Sequence, residues 1–151
     1  MLLEGQPAPE FSLLDQDGQR VTLSQFLGRQ VVVYFYPKDD TPGCTREGIE
    51  FTENRDAFDT KNTVVIGISK DSTDSHKSFC TKYNLGITLL SDPDNAVIDA
   101  YGAWQEKSNY GKKYMGIVRS TVLIDSNGIV KKYWKNVKVD GHVSAVLNAA
   151  G

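Results

Sequence analysis

Pro37, Thr41 and Cys44 follow one another at four-residue and three-residue spacing, where an apolar strand gives way to a helical pattern. A thiol at that point can do nucleophilic sulfur chemistry. Unpaired backbone N–H groups and the positive end of the helix dipole gather in a first turn, and both favour thiolate over thiol. A cysteine with a pKa of about 8.5 is only a few per cent ionised at neutral pH, so full ionisation raises the nucleophile population roughly 30-fold, or about 2 kcal/mol. A reactive thiol is not yet a catalyst, because the leaving group must also be stabilised. If the bond attacked is the O–O bond of a peroxide, charge develops on the departing oxygen, and a fixed cation with hydroxyl and N–H donors around it is what the transition state requires. Thr41 can place a hydroxyl beside the sulfur, and Arg119, at the start of a predicted strand, is the candidate cation. Glu47, one turn beyond Cys44, is equally explained as an orienting partner for Arg119 or as a carboxylate meeting the helix dipole.

The elements that must position these groups read as an α/β fold. Val31 to Tyr36 is apolar without alternation and ends at Pro37, as expected for a strand buried on both faces of a mainly parallel sheet. Cys44, Gly48, Phe51, Arg55 and Phe58 then recur at helical intervals, which predicts a helix from about Gly43 to Lys61. The strand Val64 to Ser69 completes a strand–helix–strand unit with a right-handed crossover. Cys44 therefore falls just beyond the carboxyl end of a central strand, the edge at which open α/β sheets bind ligands. Upstream, Phe11 to Leu14 and Val21 to Leu23 flank Asp17-Gly18 and read as a β-hairpin covering an edge. Downstream, Asp71 to Asp74 offers N-caps for a helix in which His76, Phe79, Cys80 and Tyr83 share a face. Ile87 to Leu90 is a short strand and Ala96 to Tyr101 a brief helix. Gly102 to Gly116 has no clear period and reads as an ordered loop. Ser120 to Ile124 and Ile129 to Trp134 form a hairpin around Asn127-Gly128, and Val143 to Ala150 a closing helix.

With 151 residues, 40% hydrophobic and 24% charged, the chain supports one domain spanning residues 1–151. No basic-then-apolar leader and no stretch of bilayer length is present, so a cytoplasmic protein without membrane association is the expectation. Two cysteines with no Cys-x-x-Cys or Cys/His cluster argue against zinc and, in a reducing compartment, suggest a redox pair. His76 and His142 are too few and scattered to make a metal site, and read as surface residues. The net charge is −2, but Lys107 to Lys138 holds eight basic residues against Asp125 alone. That segment is either a positive field attracting anions or an acidic partner, or simply a solvated lysine-rich surface. Nothing in it has the pattern of a nucleic-acid interface.

Pro37, Thr41 and Cys44 also reproduce the Pro-x-x-x-Thr-x-x-Cys signature of peroxiredoxins. The wider string Tyr36 to Thr45, with Arg119 to Asp125, resembles the branch called bacterioferritin comigratory protein or peroxiredoxin Q. The likeness runs from Gly5–Phe11 through Leu90–Pro93 and Ala100–Gly102 to the last hairpin. It implies a thioredoxin-like fold, with a central mixed sheet flanked by helices, and reduction of hydrogen peroxide and organic hydroperoxides without a cofactor. Cys44 would become a sulfenic acid, Thr41 and Arg119 would bind the peroxide oxygens, and Pro37 would shield the sulfur. Many members carry the resolving cysteine five residues after the first, where this chain has Ile49. Cys80, on the following helix, takes that role by resemblance to other members, giving an intramolecular disulfide reduced by thioredoxin or glutaredoxin. A monomer follows as the expectation, as does local unfolding around both cysteines during turnover.

Two other classes compete with a peroxidase. A thiol–disulfide reductase on the same fold is disfavoured, since such enzymes pair Cys-x-x-Cys and Cys44 has no near partner. A non-catalytic redox-sensing domain, in which a Cys44–Cys80 disulfide contributes about 3 to 4 kcal/mol, also fits.

Overall fold

In the computed structural model, which describes residues 2–151, the N-terminal hairpin forms as expected. Strand β1 (Ser12–Asp15) pairs antiparallel with β2 (Arg20–Thr22). Strand β3 (Gln30–Phe35) comes next and is buried from Val31 onward. Its alternate side chains enter two different apolar layers, as the two-residue strand period dictates. Val31, Val33 and Phe35 join one cluster, whereas Val32, Tyr34 and the following Tyr36 join the other, which also contains Cys44 and Cys80.

The helix expected over residues 43–61 is two helices, α1 (Pro42–Glu53) and α2 (Arg55–Thr60). They break at Asn54, whose side-chain amide donates to the Glu50 carbonyl at 2.8 Å. Asparagine commonly competes for backbone groups in this way and interrupts a helix without changing its apolar face. Phe51 and Phe58 on either side of the break are fully buried, each contributing roughly 1.5–3 kcal/mol.

Then follow β4 (Thr63–Ser69), α3 (Thr73–Tyr83), β5 (Thr88–Ser91) and α4 (Ala96–Ala100). Strands β3, β4 and β5 are mutually parallel, so their carboxyl ends line one edge. Strands β8 (Ser120–Ile124) and β9 (Val130–Trp134) form the predicted hairpin, and α5 (His142–Ala150) closes the chain. The main sheet has the order β2-β1-β5-β4-β3-β8-β9. Because β8 runs antiparallel to β3, with Ser120 opposite Phe35, the start of β8 lies beside the end of β3. That pairing brings Arg119 to the Cys44 turn across 75 residues of sequence.

Two expectations fail. Residues 102–116 are not a loop: β6 (Trp104–Asn109) and β7 (Lys112–Ile117) form a separate two-stranded ribbon. Both its faces are largely solvated, so the alternation that marks a half-buried strand is missing. Nor are His76 and His142 on the surface; they are 0% and 6% exposed. Each ring has a polar partner inside the fold, which makes burial affordable for an imidazole.

Candidate active site

Cys44 is the third residue of α1 and is 2% exposed. The first helical hydrogen bond of this turn runs from Thr45 N–H to the Thr41 carbonyl at 2.8 Å. The N–H groups of Gly43 and Cys44 precede it and lack an intrahelical acceptor, while Pro42 has no N–H to leave. Thr41 occupies the N-cap position without capping. Its hydroxyl donates instead to the Lys38 carbonyl at 2.8 Å, which fixes the hydroxyl and leaves its lone pairs as acceptors. Pro37 lies at the end of β3, partly exposed, where the chain turns toward this loop.

Arg119 completes the arrangement. Its Nη2 donates to Cys44 Sγ at 3.3 Å and its Nη1 to Glu47 Oε1 at 2.6 Å. One guanidinium thus spans sulfur and carboxylate, a use to which lysine's single ammonium is poorly suited. Burial works against its charge, but Glu47 and Cys44 outweigh it and hold the group above its ordinary value. Glu47 is fully buried. Burial pushes its carboxyl up to about 7, with Arg119 pulling the other way, and its second oxygen has no hydrogen-bond partner among the described residues. The orienting role for Glu47 is the one that the geometry supports.

Gly43 and His142 belong to the site although sequence reasoning did not single them out. A Cβ at Gly43 would stand 3.1 Å from Arg119 Nη2, so glycine leaves the guanidinium room to reach sulfur. His142 Nε2 lies 2.7 Å from Thr121 Oγ1. Burial, then the positive Arg119, lower it to about 4, so it adds no second cation at neutral pH. The only advance signal for Gly43 was its place within the Cys44 motif.

Cys80 is in the third turn of α3, 8% exposed, and both cysteines are free thiols in one apolar cluster. Burial first, then the charges of Asp39 and Asp17, push the Cys80 thiol up to about 11. Asp39, Asp71 and His76 each bring a ligand-type atom within 4.8 Å of the others. His76 Nδ1 already bonds the Asp39 carboxyl, which also accepts from Tyr36 and Ser75, and the Asp71 carboxylate accepts from the Asp39 N–H and Ser69, so the cluster is knit as a hydrogen-bond network.

A cysteine in a helix first turn at the end of a central strand, met by an arginine from an antiparallel neighbour, is an arrangement suited to thiol enzymes on a mixed α/β sheet. The chain belongs to the AhpC/TSA family, whose model matches residues 4–133. Its relatives within that family are peroxiredoxins of the Bcp branch. It is 50% identical over 143 residues to the putative peroxiredoxin bcp of Coxiella burnetii, covering 95% of each chain. Identity to peroxiredoxin Bcp of Bacillus subtilis is 45% over 143 residues, covering 95% of this chain and 91% of that one. The solved bacterioferritin comigratory protein of Xanthomonas campestris superposes with a TM-score of 0.89 at 41% identity, covering 93% of this chain and 89% of that one. The sheet with its flanking helices is therefore the thioredoxin-like fold of peroxiredoxins, and thiol peroxidase chemistry comes with it. No helix among the described residues is long and apolar enough to cross a membrane.

Proposed function

We propose that Cys44 is the peroxide-reacting cysteine, that Cys80 resolves it within the same chain, and that hydrogen peroxide and organic hydroperoxides are the substrates. The observation that carries this reading is the Arg119 guanidinium bridging Cys44 Sγ and Glu47. It offers a fixed positive charge at the sulfur, next to the free N–H groups of a helix start, where two peroxide oxygens must be held. The Xanthomonas relative was studied for alkyl peroxide reduction, which supports organic hydroperoxides here.

In the first step the Cys44 thiolate attacks one peroxide oxygen. An S–O bond forms, the O–O bond breaks, and the departing oxygen takes a proton to leave as alcohol or water. Arg119 and the N–H groups of Gly43 and Cys44 stabilise the charge on that oxygen, the Thr41 hydroxyl accepts a hydrogen bond from the peroxide O–H, and Pro37 shields the turn from bulk water. Cys80 thiolate next attacks the sulfenic sulfur, forming the disulfide and expelling hydroxide, which is protonated to water. Two electrons have passed from the dithiol to the peroxide, and thioredoxin or glutaredoxin returns them in a reducing cytoplasm. Disulfide formation brings the two Cα atoms within about 7 Å, so the first turn of α1 and the middle of α3 unwind for it. The chain acts as one domain and as a monomer, since the resolving thiol is its own.

Titration of free thiols after one equivalent of hydrogen peroxide tests this. Wild type loses both thiols rapidly, Cys44→Ser keeps its one remaining thiol, and Cys80→Ser accumulates a Cys44 sulfenic acid that is over-oxidised by excess peroxide. Slow thiol loss in wild type, or equally fast loss of the Cys80 thiol in Cys44→Ser, would overturn the assignment of Cys44 as the peroxide-reacting group. Peroxide consumption coupled to thioredoxin and its reductase identifies the electron donor.

A further inference from the structure

A buried polar network ties the turn before Cys44 to the helix that carries Cys80. His76 on α3 is fully buried and Asp39, in the turn between β3 and α1, is 7% exposed. His76 Nδ1 lies 2.7 Å from Asp39 Oδ2, and Nε2 lies 2.9 Å from the Leu90 carbonyl. The Leu90 carbonyl can only accept, so Nε2 donates to it, and Nδ1 shares a hydrogen bond with the Asp39 carboxyl group. Asp39 also accepts from Ser75 Oγ on α3 at 2.8 Å and from Tyr36 OH at 2.6 Å, while its N–H donates to Asp71 Oδ2 at 2.8 Å. On the outer side of the same turn, Asp40 accepts from Lys82 Nζ at 2.7 Å and Tyr83 OH at 2.6 Å. Asp40 has φ 60°, a left-handed conformation that a non-glycine residue keeps only where contacts impose it.

None of these groups touches Cys44 or Arg119 by a hydrogen bond, so the chemistry on the O–O bond does not account for them. They join the two segments that, on the reading above, rearrange before the cysteines bond, and a buried polar group that loses its hydrogen-bond partner is strongly disfavoured. We propose that the Asp39–His76 pair, with the Asp40 ties to Lys82 and Tyr83, is a latch whose opening sets the rate at which the Cys44 sulfenic acid is passed to Cys80. Closed, it holds the Cys44 turn in the peroxide-reacting arrangement and keeps Cys80 buried beside the Asp39 carboxylate, both of which oppose its ionisation. Open, it exposes Cys80 and removes that neighbouring charge. Asp39 and His76 are thus positioning residues for resolution, an inference that rests on the roles given above to Cys44 and Cys80.

Asp39→Asn and His76→Asn separate this from general structural damage, because the two chemical steps are read apart. Quenched samples analysed by mass spectrometry give the peroxide step from sulfenic acid formation in a Cys80→Ser background, and the resolution step from disulfide formation with Cys80 present. The peroxide step changes less than about twofold, whereas disulfide formation accelerates about tenfold. The peroxide concentration that drives half the protein to sulfinic acid rises in proportion. Loss of the latch destabilises the dithiol alone, so the disulfide also becomes about tenfold harder to reduce, a shift of about 30 mV. Should either core variant fail to fold, Tyr83→Phe removes one outer hydrogen bond with the core intact, and speeds resolution about threefold. Resolution at the wild-type rate in the folded variants overturns the latch while leaving the peroxidase reading in place. Absence of any Cys44–Cys80 disulfide in oxidised wild type overturns both.

Discussion

Cys44 and Cys80 sit in one apolar cluster and are both buried, yet their surroundings are opposite. Cys44 is in an uncapped first turn with an arginine donating to its sulfur. Cys80 is two turns inside a capped helix, with Asp39 and Asp17 as its charged neighbours after burial itself. Burial is the largest cause holding the Cys80 thiol up, but it does not by itself distinguish two buried thiols; the position in the helix and the charges at hand do. Even the caps divide the labour. Ser72 accepts from Ser75 N–H and closes the start of α3, whereas Thr41 turns its hydroxyl to Lys38 and leaves the α1 N–H groups for a ligand.

The contrast is tested most severely by alkylation. In Cys44→Ser, the rate at which iodoacetamide modifies Cys80 climbs about tenfold per pH unit from 7 to 10, following a thiol pushed up to about 11. In Cys80→Ser at pH 8, Cys44 reacts on the order of a hundredfold faster than that or more. Equal rates would erase the distinction. Arg119→Met, which keeps bulk and removes the charge, lowers the second-order rate with peroxide by about 10²- to 10³-fold, or ~3–4 kcal/mol. An unchanged rate in stopped-flow kinetics would assign the site's electrostatics to the helix alone.

Glu47 sharpens the comparison through pH. Its folded value of about 7 lies above the ordinary 4.5, so the folded state holds this proton longer than the unfolded state. The stabilising contribution is complete below about pH 4.5 and is lost as pH rises through 7. Relative to Glu47→Gln, wild type therefore loses up to about 3 kcal/mol between pH 5 and pH 8, measured by urea unfolding at each pH. A gap that is constant with pH would mean that the carboxylate is ionised throughout. The smallest effect is at the caps: Ser72→Ala costs about 1 kcal/mol, whereas Thr41→Ala costs clearly less stability while slowing the peroxide step.

Much of the site was legible because Pro37, Thr41 and Cys44 lie in one short stretch at a change of hydrophobic period. The sheet, both predicted hairpins and the helices after Ser72 and before Ala150 were legible from alternation, N-cap residues and turn dipeptides. Arg119 was a candidate cation from its place at a strand start, but it and Cys80 needed the family resemblance to be assigned a role, since nothing in a single sequence ties residue 119 to residue 44. His76 was misread for a similar reason. Its partner is 37 residues away, and a histidine that follows a polar N-cap cluster looks solvated until the fold supplies a carboxylate. The ribbon β6–β7 escaped because its strands are polar on both faces, and only Gly111 in its turn, at φ 79°, marked the reversal.

That ribbon has a practical corollary. Its ladder is self-contained, and Tyr110 at its tip is 100% exposed, so a change at the tip leaves the pairing of the seven main strands intact. A fluorophore or affinity handle grafted between Tyr110 and Gly111 would extend from the molecule like a flag on a mast, leaving both hydrophobic layers undisturbed.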